Sequence, residues 1–230
     1  MIFFEPDLSF EILDLLSKRI KTKTGEIANH EASQKINEYL SSLFPSIKEK
    51  VVPKAVFREL PVIQSDKKCI HTEAGDIESP MFRAMADMCE KNRYIVFMIV
   101  TLGAELEKLA ASSREIFFQW FLDIAGSELV EIVADLIETI WKNRTDQQGR
   151  QFCNRFSPGY CDWPLEGQRV IFNALNAEKI GVKLTSHMSM TPKKTISSIM
   201  LSSSKTPIKL PCPLCIKKEF CLMKNHHGRK

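Results

Sequence analysis

The sequence predicts an α+β fold. Two amphipathic helical patterns open the chain, runs of β-branched and aromatic residues are dispersed among later helical patterns, and no regular β-α-β alternation or 20–50-residue repeat appears. Residues 1–205 read as one domain and 206–230 as a Cys-rich tail.

Residues 7–20 carry Leu8, Ile12, Leu15 and Ile20, a first helix, and residues 27–44 put Ile36, Leu40, Leu43 and Phe44 on one face of a second. Pro45 and Pro53 then break the chain, because proline cannot donate the helical hydrogen bond. Ala55–Ile63 and Tyr94–Val100 read as strands. Between them, Ser79-Pro80 opens a short helix reaching about Glu90. The turn Thr101-Leu-Gly-Ala104 leads into a helix over about 104–119. A long helix follows from Gly126 or Ser127 to Trp141, with Leu129, Ile132, Val133, Leu136, Ile137 and Ile140 facing inward. Residues 143–149 are polar and read as a loop. Pro164 opens another helix, carrying Val170, Ile171, Ala174 and Leu175 and stopping before Gly181. Leu184 and Ile196–Leu201 are closing strands.

Composition removes several classes. An apolar content of 44% supports a packed core. A net charge of +4 without a concentrated basic stripe is too mild to argue for nucleic acid, so no nucleic-acid partner is expected. The longest apolar stretch, Tyr94–Leu102, is too short to span a membrane. The start, Met1-Ile-Phe-Phe-Glu-Pro-Asp7, lacks the pattern of a signal peptide, and seven Cys make an odd number, so the expected location is the cytoplasm. The nine Gly form no G-x-G-x-x-G or phosphate-loop pattern, and no G-x-S-x-G elbow appears.

The richest segment is Arg155-Phe-Ser-Pro-Gly-Tyr160, continued by Cys161-Asp-Trp-Pro164. Arg155 offers a planar fork for a carboxylate. Pro158 fixes one dihedral, Gly159 permits positive φ and close approach of a ligand, and Tyr160 offers a ring face or hydroxyl. A small zwitterion with an adenine-like or cationic part suits such a loop. A surface turn with a structural Arg is the alternative. Upstream, Glu131, Asp135 and Glu138 share one helix face at spacings of four and three. A carboxylate there can hold an amino group or a ribose hydroxyl, or belong to a solvated face paired with Lys or Arg.

Downstream come Ile180-Gly-Val-Lys-Leu-Thr-Ser186, Met188-Ser-Met-Thr-Pro192 and Thr195-Ile-Ser-Ser198. This order resembles the activation (reactivation) domain of cobalamin-dependent methionine synthase, specifically over about residues 150–201 and more loosely over about 94–142. The resemblance implies a helical N-terminal layer packed on a twisted, mainly antiparallel sheet. It further implies that the chain binds S-adenosylmethionine and presents its methyl group to a corrinoid that has lost its active oxidation state. Arg155, Ser157, Gly159 and Tyr160 would contact the ligand, with Glu138 as the helix carboxylate. The family's Pro-Asp-His or Pro-Glu-His run reads Pro164-Leu-Glu-Gly-Gln168 here, where Glu166 or Gln168 takes the place of the His. The corrinoid (cobalamin) would ride on a partner, a corrinoid protein or split methionine synthase core, with flavodoxin or ferredoxin as electron donor. No side chain serves as a general base or covalent nucleophile, so no catalytic residue is expected.

The tail places Cys212 and Cys215 at Cys-x-x-Cys spacing, followed by Cys221 and His226-His227. That spacing lets two thiolates reach one metal; Cys221 and a nearby His complete a four-ligand set for zinc, whereas an iron–sulfur cluster would take Cys153 or Cys161 as its fourth thiolate. A Lys-rich tail with free thiols is the other reading. Three functions therefore stand open: a corrinoid-reactivating methyl-transfer component, a non-catalytic S-adenosylmethionine-binding or corrinoid-protein docking module, and a small redox protein centred on the tail.

Overall fold

A computed structural model describes residues 1–24, 30–66, 68–87, 93–146 and 149–203. Cys212, Cys215 and Cys221 lie outside the described residues.

The framework is a five-stranded sheet in the order β1 (Ile2–Phe4), β2 (Lys54–Pro61), β6 (Tyr94–Thr101), β10 (Thr195–Ser203), β7 (Gln151–Phe152). Every neighbouring pair is antiparallel. A smaller sheet joins β3 (Gln64–Ser65), β4 (Ile70–Thr72) and β5 (Gly75–Ile77), and β8 (Lys183–Leu184) pairs with β9 (Met190–Thr191). The expected α+β class holds.

The central strand shows why the sheet is a two-sided layer. Residues Ile95 to Thr101 of β6 are all buried, so both of its faces are covered. Period-two alternation assigns the faces. Phe57, opposite Met98, stacks on Trp141 at 5.4 Å, so this face carries α5 (Ile116–Asp146). On the other face, Arg58 donates to the Ala174 carbonyl and Ser197 donates to Gln168 Oε1 at 2.7 Å, which is where α6 (Gln168–Ala174) packs. The helices α1 (Phe10–Thr24) and α2 (His30–Lys50) pack in turn on α5, forming the expected N-terminal helical layer.

Several sequence expectations need correction. Pro45 does not break the second helix: Ile36, Leu40, Leu43 and Ile47 form one buried face that continues past it. Burial on that face outweighs one lost backbone hydrogen bond. In α1 the buried stripe is Ile12, Leu13, Leu16 and Ile20, and Leu15 is exposed. The helix expected over 104–119 ends at Ser112 (α4, Glu105–Ser112). Ser113 is extended and closes α4: its N–H donates to the Ala110 carbonyl, and its hydroxyl accepts the Glu115 N–H in the turn before α5. α5 then runs 31 residues, through Gly126, to Asp146 and into the expected loop. Ile140, expected inside, is exposed.

Gly126, expected at the start of the long helix, lies inside it for a packing reason. A Cβ there would meet the aliphatic chain of Lys194 at 3.0–3.1 Å. Lys194 lies across this notch, and its Nζ donates to the Asp123 carbonyl at 2.8 Å, to Asp123 Oδ1 at 2.6 Å and to Ser127 Oγ at 2.9 Å. This clamps α5 to the start of β10. Replacing Gly126 with Val should separate the two elements and cost about 1–3 kcal/mol despite the better helix propensity of most other residues. Denaturant unfolding of Gly126→Val against Gly126→Ala, with the larger loss for Val, is the check.

Candidate functional site

The site is built on a bulge. The strand that starts at β7 pairs Phe152 with Ser202, and pairing resumes at Phe156 with Ile199. Residues 153–155 therefore stand opposite residues 200 and 201 alone, three against two. One extra residue reverses the alternation. Phe156 turns to the face away from α5, where it stacks between Phe82 (5.2 Å) and Trp163 (5.5 Å). Arg155 turns toward α5.

There the guanidinium meets three carboxylates. Nε donates to Glu138 Oε2 at 2.9 Å, and Nη2 donates to Asp135 Oδ1 at 2.7 Å and Glu131 Oε2 at 3.2 Å. The Arg155 side chain is 14% exposed and that of Glu138 is 10% exposed. Burial works against the charge, but Glu131, Asp135 and Glu138 outweigh it and hold the Arg155 pKa above its ordinary value. Nη1 takes part in none of these contacts. The acidic stripe extends to both sides: Arg19 donates to Asp135 at 2.9 Å, Lys23 pairs with buried Glu128, and Lys142 donates to Glu138 at 2.5 Å. Sequence reasoning put the three carboxylates on one face correctly. It did not anticipate that they and Arg155 are partners, since a contact 17–24 residues apart depends on the bulge.

After Phe156 the loop closes on itself. Gly159 N–H donates to the Trp163 carbonyl at 2.9 Å, Trp163 N–H to the Tyr160 carbonyl at 3.0 Å and Tyr160 N–H to the Ser157 carbonyl at 3.2 Å. Gly159 has φ +88°, in the left-handed region expected of it, and both it and Tyr160 are exposed. Ser157 thus spends its carbonyl inside the turn. Asp162 anchors the loop to α3 (Pro80–Asp87): it accepts from Ser79 Oγ at 2.5 Å and from the Met81 N–H at 2.8 Å. Nothing in the spacing pointed to Asp162, 81 residues from its partner. Behind the loop, a Cβ on Gly167 would lie 2.3 Å from Trp163 Nε1, so only glycine admits the buried indole.

The two stand-ins for the family His separate. Gln168 is buried and serves as a strut to Ser197. Glu166 is exposed in the 3-10 turn Leu165–Gly167 where the helix was expected to begin. Ser186 and His187 are exposed and touch each other at 3.2 Å, while Met188 is buried at φ +60°.

The sequence model of the family described as "Vitamin B12 dependent methionine synthase, activation domain" matches residues 64–207. The chain belongs to this family. The described part of the match runs from β3 to β10 and includes the Arg155 loop. Among solved structures, the crystal structure of the MetH reactivation domain bound to AdoHcy is similar in fold, with a TM-score of 0.62 and 17% identity, covering 90% of this chain and 80% of that one. No curated protein matches the chain. No helix among the described residues of this activation-domain chain is long and apolar enough to cross a membrane.

Because Arg155 neutralises a nearly buried Glu138, its removal should damage the fold as well as the site. Arg155→Ala should cost about 3 kcal/mol, and adding Glu138→Gln should recover part of that loss. A double-mutant cycle by urea unfolding measures it; additive losses would show the pair to be uncoupled. Gly167→Ala should cost about 1–3 kcal/mol through the displaced indole, with a shift in tryptophan fluorescence as a second readout.

Proposed function

We propose that the chain is a reactivation component for a corrinoid-dependent methyltransferase of the methionine synthase type, and that it binds S-adenosylmethionine at the Arg155–Tyr160 loop. The observation that carries this reading is the pairing of a positive-φ, exposed Gly159 with an Arg155 held rigidly by three carboxylates. Membership of the activation-domain family supports it, as does the fold shared with a domain that binds AdoHcy.

The residues fit the ligand's parts. Arg155 Nη1, left over by the α5 contacts, is the donor for the ligand carboxylate, so the expected two-pronged grip is reduced to one prong. Glu131 and Asp135, more exposed than Glu138, suit the ammonium or the sulfonium charge. Glu138 holds Arg155 in place and shapes the site from behind. Gly159 lets the ligand approach the main chain, Tyr160 offers its ring, and Ser157 and Glu166 flank the loop. The sulfonium supplies an activated methyl group whose irreversible transfer to a reduced corrinoid draws an uphill reduction forward. The chain's own work is positioning and charge complementarity, which needs no general base. The corrinoid (cobalamin) sits on a partner, a corrinoid protein or split methionine synthase core, and the electron comes from a donor such as flavodoxin or ferredoxin. Residues 1–205 form the binding domain in this proposal, and Cys212, Cys215 and Cys221 of the 206–230 tail hold zinc or an iron–sulfur cluster.

S-adenosylmethionine and S-adenosylhomocysteine should both bind the purified chain in equilibrium titration. Arg155→Lys, which keeps the charge but not the fork, should weaken binding about 10- to 150-fold. Gly159→Val should abolish binding while lowering stability by only about 1–3 kcal/mol, the cost of a strained φ. Normal binding by both variants would remove the loop from the site. Methylation of a reduced corrinoid partner separates reactivation from mere docking.

A further inference from the structure

The small sheet carries a second constellation, distinct from the ligand loop. Asp66 and Cys69 lie in the turn between β3 and β4, and His71 follows in β4. Asp66 Oδ1 accepts the backbone N–H groups of Lys68 at 2.7 Å and Cys69 at 3.0 Å, which fixes the carboxylate. Its Oδ2 lies 3.2 Å from His71 Nε2 and 3.5 Å from Cys69 Sγ. Cys69 Sγ is 3.6 Å from His71 Nε2. Asp76, paired with His71 across β4 and β5, takes His71 Nδ1 at 2.8 Å.

We propose that Asp66, Cys69 and His71 form a zinc site. A tetrahedral zinc centre with bonds of about 2.3 Å to sulfur, 2.05 Å to nitrogen and 2.1 Å to oxygen has S–N, S–O and N–O edges of about 3.6, 3.6 and 3.4 Å. The corresponding separations here are 3.6, 3.5 and 3.2 Å. Three donor atoms therefore already outline one face of the tetrahedron. Asp76 is the outer carboxylate that orients a metal-binding imidazole: it holds Nδ1–H and leaves Nε2 for the ion. The donor set of thiolate, imidazole and carboxylate suits zinc over calcium or magnesium.

On binding, zinc displaces the proton of the Cys69 thiol and any proton on His71 Nε2 to solvent, and His71 stays neutral with Nδ1–H on Asp76. With three protein ligands on an exposed turn, the fourth position is left to water, an open and exchangeable site that cross-links the β3–β4 turn.

The test uses the full-length chain with Cys212→Ser, Cys215→Ser, Cys221→Ser, His226→Ala and His227→Ala, so that the tail offers neither thiolate nor imidazole to the metal. Zinc alone should bind with one equivalent and protect Cys69 from alkylation, mapped by peptide mass. Cobalt(II) should show a thiolate charge-transfer band that disappears in Cys69→Ser. His71→Ala should lose the equivalent, and Asp76→Asn should weaken binding about 10- to 100-fold while leaving the stoichiometry at one. Circular dichroism confirms that each variant is folded. Absence of zinc binding in the tail-substituted chain, or an equivalent that survives both Cys69→Ser and His71→Ala, overturns the proposal.

Discussion

The grip of α5 on Arg155 is the contact on which the rest of the site depends. It joins two elements that the chain connects only through a helix end and a bulged strand, and it does so at nearly buried positions, where an unmatched charge is costly. Three carboxylates on one helix face would repel one another without a cation between them. Arg155 could not stay desolvated without those carboxylates. Each half therefore requires the other, and the loop that follows Arg155 inherits a fixed starting point.

The same balance runs along the length of α5. Glu128 and Asp135 are met by Lys23 and Arg19 from α1, and Glu138 by Lys142 on its own helix. The N-terminal helix thus completes the site from outside: it packs its apolar stripe on α5 and returns two cations to the acidic face. On the far side of the sheet, a different chemistry holds the loop. The parallel rings of Phe82, Phe156 and Trp163, with the Asp162 carboxylate capping α3, fix the turn by packing and by hydrogen bonds to that carboxylate. The glycine at 167 is the space that stack needs.

Much of the element order was legible in the sequence because amphipathic periodicity and β-branched runs are local signals. Where local rules failed, a tertiary contact had outweighed them. Pro45 read as a break because it cannot donate a helical hydrogen bond, and Gly126 read as a possible start of the long helix. One is carried by the buried face that continues past it to Ile47, and the other makes room for Lys194. Ile140 read as inward from periodicity, yet it lies on the open side of a helix too long for every turn to face the core.

The sequence by itself determined which residue types the candidate site offers: an Arg, a Pro-Gly turn and a Tyr within one short segment, and a helix face of carboxylates upstream of it. Only the tertiary structure decided how they are used. A single extra residue between Phe152 and Phe156 turns Arg155 toward α5, and no local pattern records which strand residues lack a partner. The Asp66, Cys69, His71 and Asp76 cluster was likewise unread, because its members meet through strand register and an Asx turn rather than through a recognisable spacing. Periodicity describes each element alone, whereas partnership is a property of how the elements are stacked.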